Sequence, residues 1–86
     1  MLTEVAEMKK QEIFDRMKRA IDRAPRNGYV AELHLQCLKY AKALDGVSGR
    51  EFCEGLDLKP AWGTEFSKMR KIIDRLEEAG LNVDLI

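Results

Sequence analysis

The sequence predicts an all-α fold, and three observations lead to that prediction. Apolar residues recur at helical spacing over most of the chain, and the stretches that carry them begin or end at capping or helix-breaking residues. Alternation of apolar and polar residues with period two occurs in one short segment only, at residues 81–86. With 86 residues the chain is long enough for one domain, residues 1–86, with a modest core.

The first two helices are predicted over residues 3–24 and 29–45. Thr3 is the expected N-cap of the first helix, and Pro25 ends it because the residue before a proline avoids the helical conformation. Gly46 is the expected left-handed residue after the second helix. The apolar stripe of that helix consists of Val30, Leu33, Cys37, Leu38, Ala41 and Leu44.

The third and fourth helices are predicted over residues 48–55 and 60–79. Ser48 and Glu51 have the spacing of a capping box, and Pro60 suits the first turn of the last helix. Residues 81–86 are predicted as a short C-terminal strand. A strand paired with a second subunit, a docked extended segment and a frayed tail satisfy this pattern equally.

The third and fourth helices together have the sequence features of a helix-turn-helix. Asp57 stands where the turn needs a residue that tolerates left-handed geometry, and Leu58 follows as the apolar plug of the corner. Cys53 is the expected small residue on the inner face of the third helix. The fourth helix is then the candidate for insertion into a DNA groove.

The outer face of the fourth helix carries the candidate DNA contacts. At about 100° per residue, its apolar residues point in one direction, and a hydroxyl and three cations fall in a sector of about 60° on the opposite side. Such side chains can reach phosphates and base edges. Two more residues are added to these four: Glu65 of the fourth helix and Arg50 of the third. The predicted DNA-binding set is therefore Arg50, Thr64, Glu65, Lys68, Lys71 and Arg75.

The segment Trp62-Gly63-Thr64-Glu65, which opens the fourth helix, is similar to a sequence found in small bacterial helix-turn-helix-like proteins. The resemblance covers roughly residues 38–75. It implies DNA binding by the last helix and a role in transcription. The chain departs from the pattern at Asp57, where the turn usually has glycine, and at Gly63, where the second helix usually has an apolar residue.

The charge balance favours a second hypothesis. Lys plus Arg and Asp plus Glu are 15 each, so the net charge is zero, whereas affinity for phosphates comes largely from surplus cations. The alternative function is a helical protein–protein interaction module or small inhibitor, binding through the first helix or Trp62. If double-stranded DNA is the partner, we expect a homodimer, because one small recognition helix gives little affinity by itself.

Other function classes find little support in the sequence. No apolar run reaches the length of a membrane span and the N-terminus lacks a signal peptide, so a cytoplasmic protein with reduced thiols and no membrane contact is expected. Cys37, Cys53 and His34 lack the spacing of a metal site, and no glycine-rich phosphate loop is present. We therefore expect no enzyme activity, no cofactor and no metal.

Overall fold

A computed structural model describes residues 8–86, and this part of the chain folds into four α-helices without any β-strand. Their bounds are Lys10–Arg23 for α1, Tyr29–Tyr40 for α2, Gly49–Leu56 for α3 and Trp62–Glu78 for α4. Two short 3₁₀ turns, Arg26–Gly28 and Val83–Leu85, precede α2 and follow α4. The predicted all-α class is confirmed.

The ends of α1 and α2 differ in part from those predicted. Residue Lys9 is extended and α1 begins at Lys10; the predicted cap Thr3 lies outside the described residues. The predicted end of α1 before Pro25 is confirmed, since Ala24 has the extended conformation that proline imposes. Helix α2 ends at Tyr40, earlier than predicted, because the chain tightens into turns over residues 41–46 before the left-handed Gly46.

The predicted start of α3 and the predicted turn after it are confirmed. The Ser48 hydroxyl accepts a hydrogen bond of 3.0 Å from the backbone N–H of Glu51. Asp57 has φ 54° and ψ 49°, and Leu58 N–H donates to Cys53 O at 2.9 Å. This is the Schellman geometry that closes many helices, here with aspartate in the position usually given to glycine.

The predicted C-terminal strand is wrong. Helix α4 ends at Glu78, Gly80 has φ +114°, and Val83–Leu85 form a 3₁₀ turn in which the Asn82 side chain accepts from the Asp84 N–H. The segment packs on α2, where Lys39 Nζ donates to Ile86 O at 2.7 Å. A strand needs a neighbouring strand for its backbone groups, and within residues 8–86 none exists, so local turn hydrogen bonds replace the ladder.

The core lies between all four helices, because α1 and α4 each pack on both α2 and α3. The rings of Phe52 on α3 and Phe66 on α4 stack in parallel with centroids 4.2 Å apart at its centre. Val30, predicted to be in the apolar stripe of α2, is half exposed; the buried side of that helix instead includes Gln36. The other core residues include Ile13, Phe14, Met17, Ile21, Leu33, Cys37, Tyr40, Leu44, Val47, Leu56 and Ile73.

Candidate nucleic-acid interface

The outer face of α4 presents one row of exposed polar and basic side chains. Phe66 and Ile73 are buried on the opposite side of the helix, which fixes its orientation. Thr64, Lys68, Lys71 and Arg75 are all exposed, as the sequence predicts for a contact surface. We name these four residues the outer row.

Arg50 lies on α3 at the border of a shallow groove that also touches the outer row. The groove runs between the N-terminal parts of α3 and α4, and Arg50 and Thr64 both line it. The Arg50 side chain is almost fully exposed and forms an ion pair of 3.0 Å with Glu54, one turn further along α3. The fold thus brings Arg50 close to the start of the outer row, although the two are 14 positions apart in sequence.

The floor of this groove is formed by two glycines whose backbones touch. A Cβ atom added to Gly63 would lie 3.1 Å from Gly49 O, and one added to Gly49 would lie 3.1 Å from Gly63 O. Gly63 and Gly49 are therefore the residues at which the backbones of α3 and α4 come into contact. Cys53 is buried beside the turn, with its thiol 3.8 Å from Pro60 O. The departure at Gly63 from the usual pattern thus has a packing reason.

Glu65 occupies a different position from the outer row. Its side chain is about three-quarters buried and lies between His34 of α2 and Lys68 of α4, at 3.0 Å from His34 Nε2 and 3.0 Å from Lys68 Nζ. The hydrogen bond from Lys68, followed by that from His34, holds the pKa of the Glu65 carboxyl below its usual value. An ionised carboxylate between two donors is thus built into the side of α4.

Arg70 belongs to the structural part of α4, a role that the sequence analysis missed. Its Nη1 donates to Val47 O at 2.5 Å and lies 3.4 Å from Leu44 O, and its guanidinium stands 4.6 Å from the centre of the Phe66 ring. It satisfies carbonyls of the loop between α2 and α3. Its angular position, close to that of Phe66 on the helix, is the signal that separates it from the outer row.

Other charged side chains form ion pairs that lie away from the outer row. Lys10 of α1 pairs with Glu51 of α3. The Glu51 carboxylate of the predicted capping box therefore binds a side chain of another helix. Lys42 pairs with Asp74 and Glu77 on the flank of α4, at 3.1 Å and 2.5 Å. The contacts of Lys42 place two acidic residues of α4 toward the loop after α2 and leave the outer row with a surplus of cations.

The thiols and the indole take structural positions. Burial, the largest cause, raises the pKa of the Cys37 thiol to about 12, so this thiol stays protonated. Trp62 packs against the core and meets the ring of Tyr29 edge to face, with centroids 6.2 Å apart.

Within residues 8–86, no group of three or more His, Cys, Asp or Glu residues is arranged to hold a metal ion. None of the described helices is long and apolar enough to cross a membrane.

The fold and the outer row together define a helix-turn-helix-like domain: a capped short helix, a left-handed turn and a longer helix with an exposed polar face. The chain belongs to the family described as "HTH-like domain", which it matches over residues 9–79. Comparison with curated proteins and with solved structures found no significant match.

Proposed function

We propose that this protein binds double-stranded DNA with α4 as the recognition helix and regulates transcription as a cytoplasmic homodimer. The observation that carries the proposal is the outer row, three cations and a hydroxyl on one exposed face of the last helix. Membership of the HTH-like family supports DNA binding in general. The net charge of zero is compatible with it because Asp74 and Glu77 of α4 pair with Lys42 in the loop after α2, and Glu65 is held by His34 of α2 as well as by Lys68.

The proposed contacts divide into two kinds. Thr64, Lys68 and Lys71 lie on the first half of α4 and are assigned to base edges or phosphates; Arg75, further along the helix, is assigned to phosphates. Arg50 flanks the row at the start of α3 and is assigned to a phosphate as well. Direct contact by Glu65 is not part of this proposal, since its carboxylate is engaged by His34 and Lys68.

The dimer is proposed on energetic grounds. A single recognition helix with three cations provides only a few phosphate contacts, whereas two linked half-sites multiply the affinity. The C-terminal segment is one candidate dimer surface, because Leu85 is 84% exposed. The outer side of α1 is the other. A sedimentation measurement of the free protein tests this part of the proposal: a strictly monomeric protein at the concentrations used for DNA binding would remove it.

A protein-interaction module remains the second candidate, and one observation favours it. Leu35 on α2 and Ile72 on α4 are large apolar side chains with about two-fifths of their surfaces exposed, and burying them would favour contact with a protein partner. Trp62 is less suited to anchor a partner than the sequence suggests, because it is packed against Tyr29 and the core.

A fluorescence titration with duplex DNA of random sequence separates the two candidates. At about 50 mM salt we expect binding, which weakens steeply toward about 200 mM as counterions compete for the phosphates. Absence of binding at the lower salt concentration would favour the protein-interaction module. A heparin titration run in parallel distinguishes attraction to any polyanion from a preference for the duplex.

A further inference from the structure

The Glu65 carboxylate joins two helices at the edge of the outer row. One oxygen accepts a hydrogen bond from His34 Nε2 on α2, and the other forms an ion pair with Lys68 Nζ, both at 3.0 Å. The Lys68 side chain is 61% exposed, whereas those of Glu65 and His34 are 27% and 30% exposed. The carboxylate is thus held from behind by α2, and the ammonium group that it binds faces solvent.

We infer that Glu65 is a positioning residue that holds Lys68 and weakens its contact with a DNA phosphate. This inference rests on the proposed function. The ammonium group of Lys68 can stay beside the carboxylate or move to a phosphate oxygen, and the two partners compete for it. Glu65 therefore reduces the affinity of the protein for DNA of any sequence. Recognition of a particular sequence then depends more on the proposed contacts other than Lys68.

The exchange is open to Lys68 because its own side chain is largely exposed, although the Glu65 side chain is not. Pairs of this kind, three residues apart on a helix surface, are weak, so a phosphate can displace the carboxylate. When Lys68 turns away, His34 still holds Glu65, and the carboxylate keeps a hydrogen-bond donor while it stands near a polyanion. The contact of Glu65 with α2 is what makes the exchange feasible without leaving the carboxylate unpaired.

A direct contact of Glu65 with DNA predicts the opposite effect of mutation. A carboxylate that accepts a hydrogen bond from a cytosine amino group adds affinity, and its loss weakens binding to the preferred sequence. A carboxylate that restrains a lysine subtracts affinity, and its removal strengthens binding. The sign of the change therefore decides between the two roles.

The experiment measures DNA affinity for Glu65→Gln, Lys68→Met and the double variant, with Glu78→Gln as the matched control. Glu78 is an exposed carboxylate on the same helix, so its neutralisation gives the general effect of one lost negative charge. We expect Glu65→Gln to bind duplex DNA about two- to fivefold more tightly at low salt, with a salt slope steeper by up to about 0.9, the value of one phosphate contact. In the Lys68→Met background, the gain should fall to that of Glu78→Gln.

The outcomes are distinct. A gain that persists without Lys68, a gain equal to that of the control, or a loss of affinity would each overturn the inference while DNA binding by the unmodified protein stands.

A second experiment does not depend on DNA. An NMR titration should show the pKa of Glu65 below its usual value in the unmodified protein and closer to that value in Lys68→Met. An unchanged pKa overturns the positioning role. Absence of DNA binding by the unmodified protein overturns the proposed function, and with it the effect of Glu65 on affinity.

Discussion

Arg70 and Arg75 lie five residues apart on α4, yet their surroundings have little in common. Arg70 is on the inner face, where it donates to Val47 O and lies over the Phe66 ring. Arg75 is exposed at the end of the outer row. The comparison teaches that the number of basic residues on a helix does not give the number of contacts with DNA. A cation that donates its hydrogen bonds to backbone carbonyls of the same protein is not available to a phosphate. The four predictions below test this division between the two faces.

The largest effect is expected on the inner face at the crossing of α3 and α4. The change Gly63→Val introduces a Cβ atom 3.1 Å from Gly49 O, and a backbone cannot move aside as the end of a flexible side chain can. We expect a loss of about 3 kcal/mol in the free energy of unfolding, at the upper end of overpacking effects. Urea denaturation followed by circular dichroism measures it. Ala31→Val, at an exposed position of α2, serves as the control for the general cost of valine in a helix.

If the two variants lose similar stability, the contact between the glycines does not limit the approach of the helices. A loss that is confined to Gly63→Val supports the assignment of the two glycines as the point of closest backbone approach between the helices.

The pair Arg70→Met and Arg75→Met tests the comparison directly, because each removes one positive charge from the same helix. Arg70→Met removes the side-chain donor to Val47 O and should lower the free energy of unfolding by about 1–2 kcal/mol. Arg75→Met should change it by less than about 0.5 kcal/mol, as is usual for exposed positions. Thermal or urea unfolding provides the measurement. Equal losses in the two variants would contradict the division between the faces.

The outer row itself is tested by the double change Lys68→Ala and Lys71→Ala. We expect DNA affinity at low salt to fall about tenfold, or about 1.4 kcal/mol, because two phosphate or base-edge contacts are lost. The salt slope should become shallower by up to about 1.8, and unfolding should be nearly unaffected. Lys9→Ala with Arg26→Ala, at exposed positions that flank α1, is the control for net charge. An unaltered salt slope in the α4 variant would remove both lysines from the interface.

The smallest effect is expected in the pH dependence of the stability that Glu65 contributes. This residue lies on α4 between the inner face and the outer row. Because Lys68 and then His34 lower the pKa of folded Glu65 below its usual 4.5, its stabilising contribution is present above that value and is lost as the pH falls through the folded pKa. The difference in denaturation midpoint between the unmodified protein and Glu65→Gln should therefore shrink as the pH falls from about 6 to about 3. In the Lys68→Met background the shrinkage should be smaller. A difference that stays constant over this range would show that the Glu65 contacts are not formed in solution.

Local signals in the sequence predicted most of the fold. Pro25 marks the end of α1, Ser48 caps α3, and Asp57 adopts the left-handed turn. Each of these features acts within a few residues of its own position, which is why a sequence pattern is enough to find it. The exposure of the outer row follows from the periodicity of α4 in the same way.

The features that the sequence analysis missed all involve residues distant in sequence. Gly49 meets Gly63, Glu65 meets His34, Glu51 turns to Lys10, and Arg70 reaches the loop after α2. The spacing of these residues along the sequence does not predict any of the four contacts. The same holds for the C-terminal residues, whose alternation suggests a strand while the neighbours that they meet on α2 favour a 3₁₀ turn.

The sequence by itself determined the helices of residues 8–86 to within a few positions, the turn between α3 and α4, and the polar row on the last helix. The tertiary structure decided which charged side chains are left for a partner. Arg70 and Glu65 were drawn into contacts within the fold, whereas Lys71 and Arg75 remain on the exposed face. The physical reason is that helix formation depends on neighbours along the chain, whereas the pairing of a charge depends on the donors and acceptors that packing brings within hydrogen-bond distance.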